Sequence, residues 1–121
     1  MKTRIVVRTS HQGFHRWKNA VGTFDWLLMR KHRHLFNFEI EVEVTEDDRQ
    51  VEFFDFKDKV DTALRVLYQD KDNPFYLDFK SCSCEHIAKQ LAKQLKMGAE
   101  LKSISVFEDA ENGAKVLFDD N

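Results

Sequence analysis

The sequence predicts an α+β fold, in which two helices pack on one face of a four-stranded antiparallel sheet in the order ββααββ. Residues 34–45 alternate between apolar and polar side chains, which is the period of a half-buried strand. Apolar residues in 56–69 and 84–97 instead follow the spacing of a helix. Helices placed between two pairs of strands are typical of an α+β architecture. The 121 residues fit one domain, which we assign to residues 1–121.

The first half of the chain is predicted to be mainly strand. Residues 4–10 are rich in β-branched side chains and are predicted to form the first strand. Residues 16–31 carry no clean period and are predicted to be a loop. Residues 34–45 form the second strand and 46–49 a turn, after which 51–54 briefly extend the sheet. The second-strand side chains expected to face the core are Phe36, Phe38, Ile40, Val42 and Val44.

The second half is predicted to hold both helices and the last two strands. The first helix spans about 56–69 with Asp55 as its N-cap, because an aspartate there can accept from the first free amides. The second helix spans about 84–97, and Gly98 is its expected stop. An Asn-Gly turn at 112–113 then joins the last two strands. In the third strand Ile104 and Val106 share one face, and the fourth strand is indicated by Ala114, Val116 and Phe118.

The composition excludes several classes of protein. Hydrophobic residues make up 42% and charged residues 33%, which is typical of a globular chain. The net charge of −2 argues against a nucleic-acid binder and leaves no polybasic patch for a membrane. No apolar run approaches the roughly 18 residues of a membrane span, and residues 1–5 lack a signal-peptide core. The close spacing of Cys82 and Cys84 disfavours a disulfide between them. We therefore expect a cytoplasmic protein with free thiols.

Three histidines form a candidate metal site. His32 and His34 open the second strand, and because side chains alternate along a strand, both point to the same face. His15 lies upstream, after the first strand. Three histidines with one open position are a usual ligand set for catalytic zinc. The sequence therefore predicts a Zn²⁺ site formed by these three residues.

Six short motifs, in this order, resemble those of the 6-pyruvoyl-tetrahydropterin synthase family, which includes 6-carboxy-tetrahydropterin synthase of the queuosine pathway. The resemblance extends from about residue 4 to residue 118. The motifs are Phe14-His15-Arg16, His32-Arg33-His34, Asp55-Phe56-Lys57, Leu77-Asp78, Ser83-Cys84-Glu85 and Val106-Phe107-Glu108.

The resemblance implies a T-fold (tunnelling fold) and a small-molecule pterin substrate. It assigns zinc to the three histidines, pterin-ring binding to Glu108, and a place in the substrate pocket to Ser83. The implied activity is a lyase acting on 7,8-dihydroneopterin triphosphate, with a 6-pyruvoyl or a 6-carboxy tetrahydropterin as the product. It also implies a homo-oligomer, a hexamer built as a dimer of trimers, with sites at subunit junctions.

Four positions depart from the family pattern. Leu28 stands where the family has its cysteine base, and Phe79 stands where it has its catalytic histidine. Arg33 replaces the glycine of His-Gly-His, and Cys82 replaces a proline before the second helix. The residues implied to bind metal and ring are therefore present, while the family's proton-transfer residues are not.

We hypothesise that a relocated base replaces the missing cysteine. Cys84 is the first choice, because a helix N-terminus lowers the pKa of a thiol. Asp78 is a further proton acceptor, and Cys82 and His11 are alternatives that could enter the site. A variant carrying Cys84→Ala with full turnover would refute the first choice.

Two further questions stay open on sequence grounds. Arg30, Lys31 and Arg33 are either a solvated loop or a cluster that captures a triphosphate. The chain itself is a lyase, a zinc- and pterin-binding protein with altered or no turnover, or a T-fold scaffold without metal. Product release separates the first two, and zinc content tests the third.

Overall fold

The computed structural model describes residues 1–118 as one five-stranded sheet with helices against it. The order of the strands across the sheet is β3-β1-β2-β4-β5. The elements in chain order are β1 (Thr3–His15), α1 (Asp25–Leu28), β2 (His32–Val44), α2 (Phe53–Tyr68), β3 (Leu77–Asp78), α3 (Cys84–Leu95), β4 (Leu101–Glu108) and β5 (Asn112–Leu117). The predicted α+β class is confirmed. The predicted four-stranded antiparallel sheet has a fifth strand, β3, which pairs in parallel with β1, and α1 is a further short helix.

The long antiparallel pair of β1 and β2 sets the geometry of the molecule. Its register runs from Thr3 opposite Val44 to His15 opposite His32. All five predicted inward residues of β2 are buried, and the polar residues between them are only partly covered. The alternation in the sequence therefore predicted the faces of this strand correctly, because one face must be covered by helices.

Both long helices bury one apolar stripe against the sheet. In α2 the buried residues include Phe56, Val60 and Leu64, and in α3 they include Ile87 and Leu91. They join the inward residues of β2 and β4 in one core cluster. Within residues 1–118, no helix is long and apolar enough to cross a membrane.

The first strand and the start of α2 differ from the predictions. Strand β1 continues past Ser10 to His15, because pairing with β2 along its whole length outweighs its polar composition. Residues 51–54 do not extend the sheet, since α2 begins at Phe53. Its N-cap is Glu52 rather than Asp55, and the Glu52 carboxylate accepts from the amides of Phe54 and Asp55.

The ends of α3 and β4 also differ. Helix α3 ends at Leu95, and Lys96 rather than Gly98 adopts the left-handed conformation that terminates it. The turn between β4 and β5 is formed by Asp109 and Ala110, both at positive φ, while residues 112–113 already belong to β5. The Asn-Gly pair at 112–113 therefore predicted the hairpin correctly but placed its turn about three residues too late.

Phe79 lies in the core, at the centre of an aromatic cluster. Its ring centroid is 4.5 Å from that of Phe36 and 4.7 Å from that of Tyr68, and the side chain is completely buried. Gly13 of β1 makes room for it, because a Cβ at that position would lie 2.6 Å from the Phe79 ring. Phe79, which stands where the resemblance implies a catalytic histidine, thus has a packing role.

Candidate metal centre

The end of β1 and the start of β2 bring the three predicted histidines together. The register places His15 directly opposite His32, and His34 lies on the same face two residues further along β2. The ring centroids are 4.6 Å apart for His15 and His32, and 4.9 Å apart for His32 and His34. One ligand atom from each residue lies within 4.8 Å of the other two.

The second nitrogen of each ring is held by an acceptor. His15 Nδ1 lies 3.0 Å from the Cys82 carbonyl oxygen, and His32 Nδ1 lies 2.8 Å from the carbonyl oxygen of Arg30. His34 Nδ1 lies 2.7 Å from Oδ2 of Asp109. Since a carbonyl or carboxylate oxygen only accepts, each Nδ1 carries the proton. The three Nε2 atoms are therefore the available ligands, as in protein zinc sites.

This donor set fits zinc. Tetrahedral bonds of about 2.0–2.1 Å to nitrogen place ligand atoms roughly 3.4 Å apart, which small movements of the three rings can reach. Burial lowers the pKa of His32, so the neutral imidazole that a metal requires is favoured there. Three nitrogens leave one coordination position for a substrate or water.

Glu108 lies directly beside the three histidines. Its Oε2 is 2.9 Å from Nε2 of His15, and its Oε1 is 3.6 Å from Nε2 of His34. In the metal-free protein the hydrogen bond from His15 lowers the pKa of Glu108, so the carboxylate is ionised. This hydrogen bond requires a proton on Nε2 of His15 as well as on Nδ1. Metal binding would require the same Nε2 without its proton, so the metal and this hydrogen bond exclude one another. Glu108 is then available to a ligand beside the metal.

A cavity of about 470 Å³ opens next to these residues. Its lining includes His15, His32 and Glu108, together with Ser83 and Cys84 from the start of α3. Trp17 and Leu28 supply apolar surface. Leu28, where the resemblance implies a cysteine base, lines this cavity and carries no titratable group. The volume falls in the range of small-molecule sites.

The expected lowering of the Cys84 pKa is wrong. Burial, together with the Glu108 carboxylate 3.8 Å from the thiol, raises the pKa of Cys84 to about 12. These effects outweigh the helix N-terminus at which the residue lies. Burial also raises the pKa of Cys82. Both thiols are free and carry their protons at neutral pH.

A second cavity of about 410 Å³ adjoins the first at His15 and carries basic side chains. Arg16, Lys31 and Lys80 line it, together with Asp78, whose Oδ1 accepts from the Lys80 amide at 2.9 Å. Of the predicted basic cluster only Lys31 lies here. Arg33 projects from the opposite face of β2 and donates to Gln12, since it alternates with the two histidines.

His11 does not enter the site. Its Nε2 lies 2.8 Å from Oδ1 of Asp61 on α2, and the hydroxyl of Thr9 donates to the same oxygen at 2.6 Å. The extension of β1 fixes His11 on the helix-facing side of the sheet, where this polar group links α2 to β1. The structure therefore does not bring His11 into the site, although the sequence allowed it as an alternative.

Comparisons with known proteins support the fold. No protein-family model and no curated protein sequence matches the chain. Among solved structures, 6-pyruvoyl tetrahydropterin synthase from Caenorhabditis elegans superposes with a TM-score of 0.63 at 12% identity, covering 97% of this chain and 96% of that chain. The Plasmodium falciparum 6-pyruvoyl tetrahydropterin synthase gives a TM-score of 0.62 at 19% identity, with 95% and 96% covered.

An uncharacterized protein from Wolinella succinogenes has the same fold, with a TM-score of 0.63 at 14% identity and coverage of 98% and 99%. The predicted T-fold is therefore confirmed. Variants of a catalytic glutamate in the Plasmodium vivax 6-pyruvoyltetrahydropterin synthase also superpose, with a TM-score of 0.59 at 16% and 17% identity.

Sequence reasoning missed two residues near the site. Trp17 belongs to none of the motifs and has no predicted role, yet it lines the larger cavity and is half-exposed. Asp109 was not considered, although it is the hydrogen-bond partner of His34. Its position directly after Glu108, before an Asn-Gly pair, placed it in a hairpin turn next to β2, which was the one signal that could have found it.

Proposed function

We propose that the chain is a member of the 6-pyruvoyl-tetrahydropterin synthase family that binds Zn²⁺ through His15, His32 and His34. The observation that carries this proposal is the convergence of three Nε2 atoms beside the Glu108 carboxylate on the wall of one cavity. The proposed substrate is 7,8-dihydroneopterin triphosphate. The product is a tetrahydropterin with a 6-pyruvoyl or 6-carboxy group, formed by a lyase reaction.

Each wall of the site has a part in binding such a substrate. The Glu108 carboxylate can accept two parallel N–H bonds from the guanidine-like edge of the pterin, with Ser83 lining the same cavity. Arg16, Lys31 and Lys80 offer cations to the triphosphate in the adjoining cavity. A bound zinc ion would supply Lewis-acid polarisation of substrate oxygens. Trp17 and Leu28 offer apolar surface to the ring in the same cavity.

The proton acceptor is proposed to be Asp78 rather than Cys84. The Cys84 thiol is protonated at neutral pH, whereas Asp78 is a carboxylate beside the basic cavity. The Plasmodium vivax protein, which shares the fold, has a glutamate as a catalytic residue. A carboxylate thus takes part in catalysis in a protein of this fold, and carboxylates are among the common general bases.

The two candidate bases predict different variant behaviour. We expect Cys84→Ala to keep turnover within about threefold, and Asp78→Asn to lose about 100-fold or more, which is the scale of general-base catalysis. The measurement is triphosphate release from 7,8-dihydroneopterin triphosphate by the zinc-loaded protein. Parent-like turnover in Asp78→Asn would reject Asp78, and a loss in Cys84→Ala alone would return the thiol to the role of base.

A second candidate function is zinc and pterin binding with altered or no turnover. It is favoured by Leu28 in the cavity wall and by Phe79, which is packed in the core and touches no ligand site. Tight pterin binding without triphosphate release from the zinc-loaded protein would establish it. If the purified protein is folded but contains no metal, the T-fold scaffold without metal is the remaining alternative.

The proposed homo-oligomer has a basis in the edges of the sheet. Within residues 1–118, β3 pairs with β1 only at Gly13 and Phe14, so residues 3–12 have β2 as their only strand neighbour. Strand β5 likewise pairs only with β4. Edge strands expose backbone N–H and C=O groups without a strand partner, and pairing between copies of the chain would satisfy these groups. We propose a hexamer built from two trimers, which light scattering can test.

A further inference from the structure

In the described part of the chain, each Nδ1 of the three histidines has one hydrogen-bond acceptor. Two of these acceptors are backbone carbonyls, and the third is the side chain of Asp109. His15 and His32 donate to backbone carbonyls, which side-chain substitution does not remove. His34 donates to the Asp109 carboxylate at 2.7 Å. The orientation of His34 therefore depends on a residue that neither the family motifs nor the substrate contacts include.

The fold holds the Asp109 carboxylate in place by several bonds. Because Phe36 pairs with Glu108, the residue after Glu108 lies next to Leu35. The Asp109 amide donates to the Leu35 carbonyl at 2.7 Å, and the Leu35 amide donates back to Oδ1 of Asp109 at 2.9 Å. One carboxylate oxygen is thus fixed by the strand, and the other is directed at His34.

The turn that carries Asp109 is anchored separately. Asp109 and Ala110 both have positive φ, a conformation that aspartate and asparagine tolerate better than most residues. The Ala110 amide donates to Oδ1 of Asn37 at 2.8 Å, and Asn37 donates to Ser10 at 2.9 Å. Asn37 therefore supports the turn without contacting His34, which makes it a control for rigidity alone.

We propose that Asp109 is a positioning residue of the metal centre. Its carboxylate keeps the proton of His34 on Nδ1, orients the ring so that Nε2 faces the other two histidines, and increases the basicity of that nitrogen. Carboxylates in this position typically contribute 10- to 100-fold to metal affinity. Asp109 is about half-exposed, so water screens its charge and the lower end of that range applies. This inference rests on the proposed zinc site.

The test compares the zinc dissociation constant of the parent with those of Asp109→Asn and Asn37→Ala, by competition with a chromophoric chelator. An amide has a single acceptor oxygen, so Asp109→Asn cannot serve both His34 and Leu35. We expect its dissociation constant to rise about tenfold. We expect Asn37→Ala to change it by no more than about threefold, as for a surface substitution. Asp109→Gly, which suits the positive φ, should repeat the loss.

A second readout separates orientation from folding. Cobalt(II) substituted for zinc reports ligand geometry in its visible spectrum, and we expect Asp109→Asn to shift that spectrum while Asn37→Ala does not. Parent-like zinc affinity in both Asp109 variants would overturn this inference and leave the zinc site standing. An equal loss in Asn37→Ala would also overturn it, since turn rigidity would then suffice. A parent without zinc affinity would overturn both proposals.

Discussion

Replacing Phe79 by alanine is expected to lower the free energy of unfolding by about 3–5 kcal/mol. The side chain is completely buried and contacts Phe36, Phe38 and Tyr68, and its removal leaves a cavity that these rings cannot close. Urea unfolding of the parent and the variant measures the difference. Phe75→Ala is the matched control, because Phe75 is 85% exposed and should cost no more than about 0.5 kcal/mol.

The result bears on function because Phe79 stands where the resembling family has a catalytic histidine. A loss of several kcal/mol would mean that this position now belongs to the core. A change in Phe79→Ala no larger than that in Phe75→Ala would contradict the packing described here. It would also reopen the position as a surface of the site.

Replacing Glu108 by glutamine is expected to weaken pterin binding strongly. A hydrogen bond to a charged group contributes about 1.5–3 kcal/mol, which corresponds to roughly 10- to 100-fold in the dissociation constant. Glutamine also places an NH₂ group opposite one of the two N–H donors of the ring edge. Two donors then face each other, and one of the two parallel hydrogen bonds is lost. The probe is 7,8-dihydroneopterin, which lacks phosphate, so the basic cavity does not contribute to its binding.

Two controls make this measurement specific to the ring. Zinc content must be equal in parent and variant, since Glu108 lies against His15. Glu111→Gln, an exposed change three residues away in the same hairpin, should bind like the parent. Unchanged binding in Glu108→Gln at full zinc occupancy would remove Glu108 from the ligand site.

The regular part of the fold was predictable from local patterns. The alternation in β2 and the helical periods of α2 and α3 each reflect one apolar face that must be buried, and such a face is visible in sequence. Strand β3 was not predictable, because two residues carry no period and pair with β1 only through the tertiary fold. The N-cap was misplaced because Glu52, not a typical capping residue, reaches two amides.

The site was predictable only in part, for a related reason. The spacing of His32 and His34 placed two rings on one face, His15 completed a zinc ligand set, and the family resemblance supplied Glu108. The state of Cys84 could not be read from sequence, since burial and the Glu108 charge depend on which elements pack around the thiol. The same holds for His11, whose partner Asp61 is distant in sequence.

The central claim is that three histidines hold a zinc ion, and metal analysis tests it most directly. The parent, His34→Ala and His86→Ala are purified without added chelator, and zinc per chain is measured. His86 is an exposed histidine of α3 outside the cluster, so it controls for loss of any histidine. We expect about one zinc per chain in the parent and in His86→Ala, and little in His34→Ala. A folded parent without zinc, or equal zinc in all three proteins, would contradict the account.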